Sequence, residues 1–133
     1  MVLASFFKVH DAIQVLTEPY LDLPIIMYHN VSKNPNLLGK YTISQEELEK
    51  DIIYLKEQGY TTIVVEDLIA FEFNGISLPE KPIMLTFDDG YSNISKYVLP
   101  LLEKYDCKAV VSVIGKYVEK SSESNYPDPY LNW

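Results

Sequence analysis

The chain of 133 residues contains no arginine, a single cysteine and only two histidines. Arginine is the side chain best suited to phosphate and nucleic-acid recognition, and the formal net charge of −8 also disfavours those partners. We therefore expect no nucleic-acid partner, whereas a neutral or cationic polymer is compatible with the charge. The lone Cys107 excludes an internal disulfide, and because no histidine lies near it in the sequence, we expect a packed thiol rather than a nucleophile.

Long hydrophobic runs are also missing. Residues 1–22 form an N-terminal extension whose apolar residues fall at helical spacing, but Lys8, His10 and Asp11 interrupt it. The extension therefore has the pattern of neither a cleavable signal peptide nor a membrane-spanning helix. Hydrophobic residues still make up 47% of the chain, which is enough for a folded domain at residues 23–133.

The most informative stretch joins the apolar run 83–85 to two adjacent acids, Asp88 and Asp89, and to Gly90. A short, β-rich apolar run without alternation is typical of a parallel strand buried on both faces. A helical pattern follows, not the second strand of a hairpin, and Gly90 tolerates the backbone angles of a tight turn. We therefore expect the acids at the carboxyl end of a strand, where α/β folds assemble active sites. A simple Asp-Gly turn is the alternative.

Adjacent carboxylates repel each other, so holding both at a strand end brings the fold no stability. In extended backbone, neighbouring side chains point to opposite sides, so Asp88 and Asp89 are expected to take different tasks. One can bind a divalent cation, while the other, kept ionised by that charge, acts as a base.

Strands and helices alternate along the rest of the chain. The pattern predicts strands at 24–28, 61–65, 83–87 and 109–114, and helices at 45–58, 66–73 and 93–105. Ser44 and Glu47 have the spacing of a capping box, and Pro100 should kink the last helix or begin a new segment. Residues 32–42 and the tail from Glu119 are predicted to be loops. This order predicts an α/β fold with parallel strands.

The stretch Thr-Phe-Asp-Asp-Gly-Tyr at 86–91 resembles the acid motif of the polysaccharide deacetylases, the NodB-type family 4 carbohydrate esterases. Residues 24–29 resemble the opening strand of one branch of that family, and the resemblance extends over about 23–133. It implies the N-terminal part of a deformed (β/α) barrel. It also implies a hydrolase that removes N-acetyl or O-acetyl groups from a carbohydrate polymer. For N-acetyl groups, such an enzyme breaks carbon–nitrogen bonds other than peptide bonds.

The resemblance also implies roles for individual residues. Asp88 matches the catalytic base of the family, and Asp89 matches its aspartate ligand for a divalent metal, zinc or alternatively cobalt. Tyr91 lies where the backbone helps to hold the acetate oxygen, and His29, at the end of the first strand, is expected to line the site. The paired metal-binding histidines of the family are missing from this chain, so we expect the chain as given to be truncated and catalytically incomplete.

The partner implied by the resemblance is a polymer of N-acetylglucosamine, peptidoglycan or acetylated xylan, in an extracytoplasmic or cell-wall setting. Half a barrel leaves open strand edges, so self-association or a completing chain is expected. A non-catalytic carbohydrate-binding or structural fragment is the alternative to an enzyme. A phosphoryl-transfer protein is disfavoured, because the chain has neither a glycine-rich phosphate loop nor arginine.

Overall fold

The computed structural model describes residues 21–121 and 130–132, so the first twenty residues of the predicted extension, including His10, lie outside the described residues. The described strands are β1 (Ile25–Tyr28), β2 (Asn30–Ser32), β3 (Thr42–Ser44), β4 (Thr61–Thr62), β5 (Pro82–Phe87) and β6 (Val110–Val111). The helices are α1 (Gln45–Glu57), α2 (Val65–Asn74), α3 (Leu99–Lys104) and α4 (Gly115–Ser121), with a 3-10 turn at Pro35–Leu37 and a π-helical turn at Ile94–Val98. Among the helices described, none is long and apolar enough to cross a membrane.

Strand β5 is the centre of the main sheet, and its neighbours all run parallel to it. Strand β1 lies along one edge, in the register that pairs Ile25 with Met84 and Tyr28 with Phe87. On the other edge, β4 pairs with the first two residues of β5 and β6 pairs with the last two. The prediction of an α/β fold with parallel strands is therefore confirmed.

One face of the sheet packs against α1 and the helical segment that follows the acids. The buried cluster consists of Val31, Leu48, Ile52, Leu55, Ile83, Leu85, Phe87, Ile94, Val98 and Leu101. Burying an aliphatic or aromatic side chain of this size contributes about 1.5–3 kcal/mol, so this cluster is the main source of stability among the described residues. Cys107 packs against its border, as the sequence predicts.

Helix α1 begins at the predicted capping box. The Ser44 hydroxyl accepts a hydrogen bond from the Glu47 backbone N–H (3.1 Å), and the Glu47 carboxylate accepts one from the Ser44 backbone N–H (2.8 Å). The bond from the Ser44 backbone lowers the pKa of Glu47, because it stabilises the ionised carboxylate. Beyond the helix, Gly59 adopts a left-handed conformation (φ 79°) and turns the chain towards β4.

The acids are followed by helical structure in two parts. In the π-helical turn, Leu99 donates its N–H to the Ile94 carbonyl, and α3 begins immediately afterwards. Pro100 lies in the first turn of α3, where a missing N–H breaks no helical hydrogen bond. The prediction that Pro100 begins a new segment is therefore confirmed. The Asn93 side chain, at the start of this helical structure, makes no capping hydrogen bond and bonds to Asn30 instead.

Several short elements differ from the prediction. Residues 32–42, predicted to be a loop, include the ends of a small parallel sheet in which β2 pairs with β3. The predicted strand at 109–114 is only two residues long, because Val111 already pairs with Phe87, the last residue of β5. The tail predicted from Glu119 begins inside α4, which continues to Ser121.

Candidate functional site

The two acids stand at the carboxyl end of β5. The backbone N–H of Asp88 donates a hydrogen bond to the carbonyl of Tyr28, 2.9 Å away, at the end of the parallel strand β1. His29 directly follows Tyr28, so the histidine and the two acids lie at the same edge of the sheet. Asp88, Asp89 and His29 are each only partly buried, which leaves them accessible to a ligand.

Asp89 and Gly90 form a left-handed turn immediately after the strand, with φ values of 69° and 72°. A left-handed conformation costs a residue other than glycine about 1–2 kcal/mol, so the surrounding structure must hold Asp89 in place. The expectation that the two acids lie in extended backbone is wrong at Asp89. The glycine is needed for space as well as for its backbone angles, because a Cβ atom at Gly90 would lie 2.9 Å from Cγ1 of Val113.

Residues 130–132 pack against this turn from a distant part of the chain. Leu131 donates its backbone N–H to the Gly90 carbonyl (2.7 Å), and Tyr130 forms an antiparallel β-bridge with Tyr91. The Tyr130 ring also stacks with the rings of Tyr91 and Tyr117, at centroid distances of 5.1 and 4.5 Å. The turn that carries Asp89 is therefore braced by a stack of three tyrosines.

The position of the tyrosine stack beside the acids affects the pKa of Tyr130. Burial has the largest effect on the Tyr130 phenol and raises its pKa. Tyr91 and Tyr117 raise this pKa further, and the Asp89 carboxylate raises it least. A negative charge disfavours the ionised phenolate, so the Asp89 carboxylate adds a small contribution to the raised pKa of Tyr130.

A second set of contacts joins the acid turn to the end of β1. The Asn93 side-chain amide donates a hydrogen bond to the Asn30 side-chain carbonyl (3.2 Å), and the Asn30 amide in turn donates to the Thr42 hydroxyl (3.5 Å). The His29 ring lies 5.1 Å from the Tyr41 ring, with the two planes tilted by 54°. The sequence pattern contains no signal for these contacts of Asn30, Thr42 and Tyr41, because contacts between distant segments leave no local periodicity.

The described residues do not form a complete metal site. Nowhere in residues 21–121 and 130–132 do three or more histidine, cysteine, aspartate or glutamate side chains come together in an arrangement that could hold an ion. A catalytic zinc site has three protein ligands and an open position. Asp88 and Asp89 supply two carboxylates, so zinc or cobalt does not fit this part of the chain by itself. The roles expected for Asp88, Asp89, Tyr91 and His29 stay predictions.

Comparison with known proteins identifies relatives of one kind. The family model described as polysaccharide deacetylase matches residues 75–128, which include the acid pair. YxkH of Bacillus subtilis, a protein provisionally named a polysaccharide deacetylase, is 32% identical over 104 residues. The poly-beta-1,6-N-acetyl-D-glucosamine N-deacetylase of Escherichia coli strain K12 is 28% identical over 122 residues. These matches cover 78% and 90% of this chain but only 36% and 18% of the two relatives.

Solved structures extend the similarity to the fold. A de-N-acetylase from Aggregatibacter actinomycetemcomitans matches with a TM-score of 0.71 at 26% identity. The deacetylase PplD of Streptococcus pyogenes, determined in complex with acetate, matches with a TM-score of 0.66 at 27% identity. The matches cover 84% and 80% of this chain, and 47% and 48% of those structures. The chain thus spans about half the length of these solved proteins.

Proposed function

Because the chain carries part of a polysaccharide deacetylase (NodB-like) domain, we propose that it contributes the acid pair of an enzyme that hydrolyses acetyl groups on a carbohydrate polymer. The observation that supports this most directly is the position of Asp88 and Asp89. They are adjacent, they follow the central parallel strand β5, and they lie within the segment that the family model matches. The described α/β arrangement corresponds to part of the barrel of the solved deacetylases.

In this proposal Asp88 is the catalytic base. Its carboxylate accepts a proton from a water molecule as the water oxygen attacks the carbonyl carbon of the acetamide. The carbon–nitrogen bond then breaks as the proton passes to the nitrogen, and acetate and a free amine leave. An O-acetyl ester would release a hydroxyl group instead of an amine. The hydrogen bond from the Asp88 N–H to Tyr28 fixes the backbone of the base to the rigid sheet.

Asp89 has a separate task in the same proposal, as a carboxylate ligand of a divalent cation, zinc or alternatively cobalt. Such a cation, when bound, lowers the pKa of a coordinated water. The left-handed backbone at Asp89 distinguishes it from Asp88, which supports two different roles for the neighbouring acids. Because the described residues contain no group of three ligands, we expect this part of the chain to bind the cation weakly on its own.

Tyr91 and His29 are proposed to contact the carbohydrate. His29 lies at the same edge of the sheet as the acids, and Tyr91 directly follows the acid turn. The net charge of −8 suits a neutral or cationic polymer. The Escherichia coli relative is named for poly-N-acetylglucosamine, and we extend that substrate class to this protein, with peptidoglycan and acetylated xylan as alternatives, in a cell-wall or extracytoplasmic setting.

Acetate release from N-acetylglucosamine oligosaccharides, with added zinc or cobalt, tests the proposal. Two proteins are compared: the 133-residue chain, and a chimera in which residues 23–133 replace the matching part of the Aggregatibacter de-N-acetylase. We expect the chimera to release acetate and the chain alone to release none, because the chain has too few metal ligands. Metal-dependent turnover by the chain alone would refute this argument from the number of ligands.

A non-catalytic carbohydrate-binding or structural role is the second candidate. It is favoured by one observation, the absence of a group of three metal-binding side chains among residues 21–121 and 130–132. It predicts that the chain binds the oligosaccharide equally well with and without a divalent metal. A folded chimera that binds sugar and releases no acetate would support this role over the deacetylase.

A further inference from the structure

A pocket at the carboxyl end of β1 lies beside the acids and has no task in the chemistry described above. Its lining includes Met27, His29, Asn30, Lys40 and Tyr41. Two of these side chains are exposed, Met27 at 59% and Tyr41 at 57%. The pocket thus combines an exposed aromatic ring and an apolar side chain with several polar groups.

The backbone holds Tyr41 in a fixed position. Asn30 donates its N–H to the Tyr41 carbonyl (3.0 Å), which ties Tyr41 to the residue that follows His29. On either side of Tyr41, Gly39 and Thr42 exchange two backbone hydrogen bonds of 2.9 and 3.3 Å and close a tight turn. The backbone that carries the Tyr41 ring is therefore held in a fixed turn, so little backbone conformational entropy would be lost when a ligand binds to the ring.

The same contacts place the pocket next to the acids. Asp88 bonds through its N–H to Tyr28, and His29, the next residue, has its ring 5.1 Å from the Tyr41 ring. From the other side, Asn93, which follows the acid turn, bonds to Asn30 in the wall of the pocket. Asp88 and the pocket thus lie at the same edge of the sheet, just beyond the paired ends of β1 and β5.

We propose that Tyr41, with His29 and Lys40, forms a binding subsite for a pyranose unit of an acetylated polysaccharide; this rests on the proposed function. The Tyr41 ring is 57% exposed, and the Lys40 ammonium lies 5.1 Å from its centroid, so the C–H face of a pyranose would cover the part of the ring that this ammonium leaves open. His29 and Lys40 provide hydrogen-bonding groups for hydroxyl and acetamide substituents. Two carboxylates lie nearby, and Lys40 is the only lysine among the described residues that line the pocket, so the subsite favours a neutral sugar over an anionic one.

Binding of chitotetraose to the 133-residue chain, measured by calorimetry and by saturation-transfer NMR, tests the subsite. We expect Tyr41→Ala to weaken binding about threefold to tenfold, from the loss of one aromatic contact. Tyr41→Phe keeps the ring and should bind like the unchanged chain. The matched control is Tyr54→Ala, because Tyr54 is equally open at 60% exposure but lies on α1, towards the opposite end of the strands.

Two further measurements distinguish a failure of the subsite proposal from a failure of the deacetylase proposal. Asp106→Asn, which removes an exposed carboxylate outside the pocket lining, should leave chitotetraose binding unchanged. A chain that shows Tyr41-dependent binding supports the subsite even if the chimera releases no acetate. Unfolding midpoints of all variants, measured in urea, confirm that the folded chains are being compared. The subsite is overturned if the unchanged chain does not bind chitotetraose, if Tyr41→Ala binds as well as it does, or if Tyr54→Ala weakens binding equally.

Discussion

A Cβ atom at Gly90 would lie 2.9 Å from Cγ1 and 3.3 Å from Cα of Val113. This close approach joins the acid turn to the segment that follows β6. Real Cβ contacts are longer than 2.9 Å, so a larger residue at Gly90 would push the turn and the neighbouring segment apart. The position of the two acids therefore depends on a glycine.

We expect Gly90→Ala to lower the free energy of unfolding by about 2–4 kcal/mol, combining left-handed strain with steric overlap. Gly75→Ala is the matched control, because Gly75 is also left-handed (φ 65°) but has no atom within 4 Å of the added Cβ. The control should lose only about 1 kcal/mol. Urea unfolding measures both, and equal losses for the two variants would show that the contact with Val113 does not matter.

The tyrosine stack provides a second prediction about the same turn. Tyr130→Ala removes the ring contacts with Tyr91 and Tyr117, each worth about 0.5–1.5 kcal/mol. We expect the Leu131 amide, which bonds to Gly90, to exchange its hydrogen faster in this variant. Tyr130→Phe should retain both the stacking and the protection. Unchanged exchange at Leu131 in Tyr130→Ala would show that the stack does not hold this segment on the turn.

Local sequence patterns predict the part of the fold that depends on local interactions. The unbroken apolar run before Asp88 predicts the buried strand β5, and the capping box predicts the start of α1. The same run, with the glycine after it, places the acids at a strand end. These features need no knowledge of what lies across the sheet.

Features that depend on distant partners could not be predicted in the same way. Within the described residues, strands β2 and β3 pair with each other outside the main sheet, and β4 and β6 share one edge of β5. Tyr130 is distant in the sequence from the acids but pairs with Tyr91 beside them. The backbone of Tyr41 is held near the site by the hydrogen bond that its carbonyl accepts from Asn30. No periodicity marks such contacts, so the surroundings of the acids appear only in three dimensions.

The hydrogen bond from the Tyr28 hydroxyl to Asp51 (2.9 Å) predicts a pH-dependent stability. Burial, this bond and the charge of Asp51 raise the pKa of Tyr28 well above its usual value of 10.0. The folded chain therefore keeps the phenol proton at pH values where the unfolded chain releases it. The stabilisation is complete below the unfolded pKa and is lost as the pH rises above it.

We expect Tyr28→Phe to lower the free energy of unfolding by about 1 kcal/mol at about pH 8, and the difference from the unchanged chain to shrink by about pH 11. Urea unfolding at both pH values gives the two differences. The other tyrosines ionise in the unchanged chain and in Tyr28→Phe alike. The difference between the free energies of unfolding of these two proteins therefore reports on Tyr28. A difference that stays constant or grows with pH would contradict the assignment.

The open face of the sheet predicts self-association. Ile25 and Met27 of β1 are each 59% exposed, and within the described residues no strand pairs with the outer edge of β1. We expect light scattering at micromolar concentration to detect a dimer that Met27→Lys shifts towards monomer. Phe73→Lys is the control, because Phe73 is exposed on α2, away from this face. A stable monomer of the unchanged chain would rule out self-association through this face.

The assignment of Asp88 as the base is the central claim, and the acetate-release assay of the chimera tests it with a single substitution. Asp88→Asn removes the proton acceptor while keeping nearly the same shape, so kcat should fall by a factor of about 10²–10⁴. Asp106→Asn is the control, because Asp106 is also an aspartate but lies exposed before β6, at the end of that strand opposite to the acids. We expect Asp106→Asn to keep the unchanged rate; an Asp88→Asn chimera that releases acetate as fast as the Asp106→Asn chimera would contradict the account.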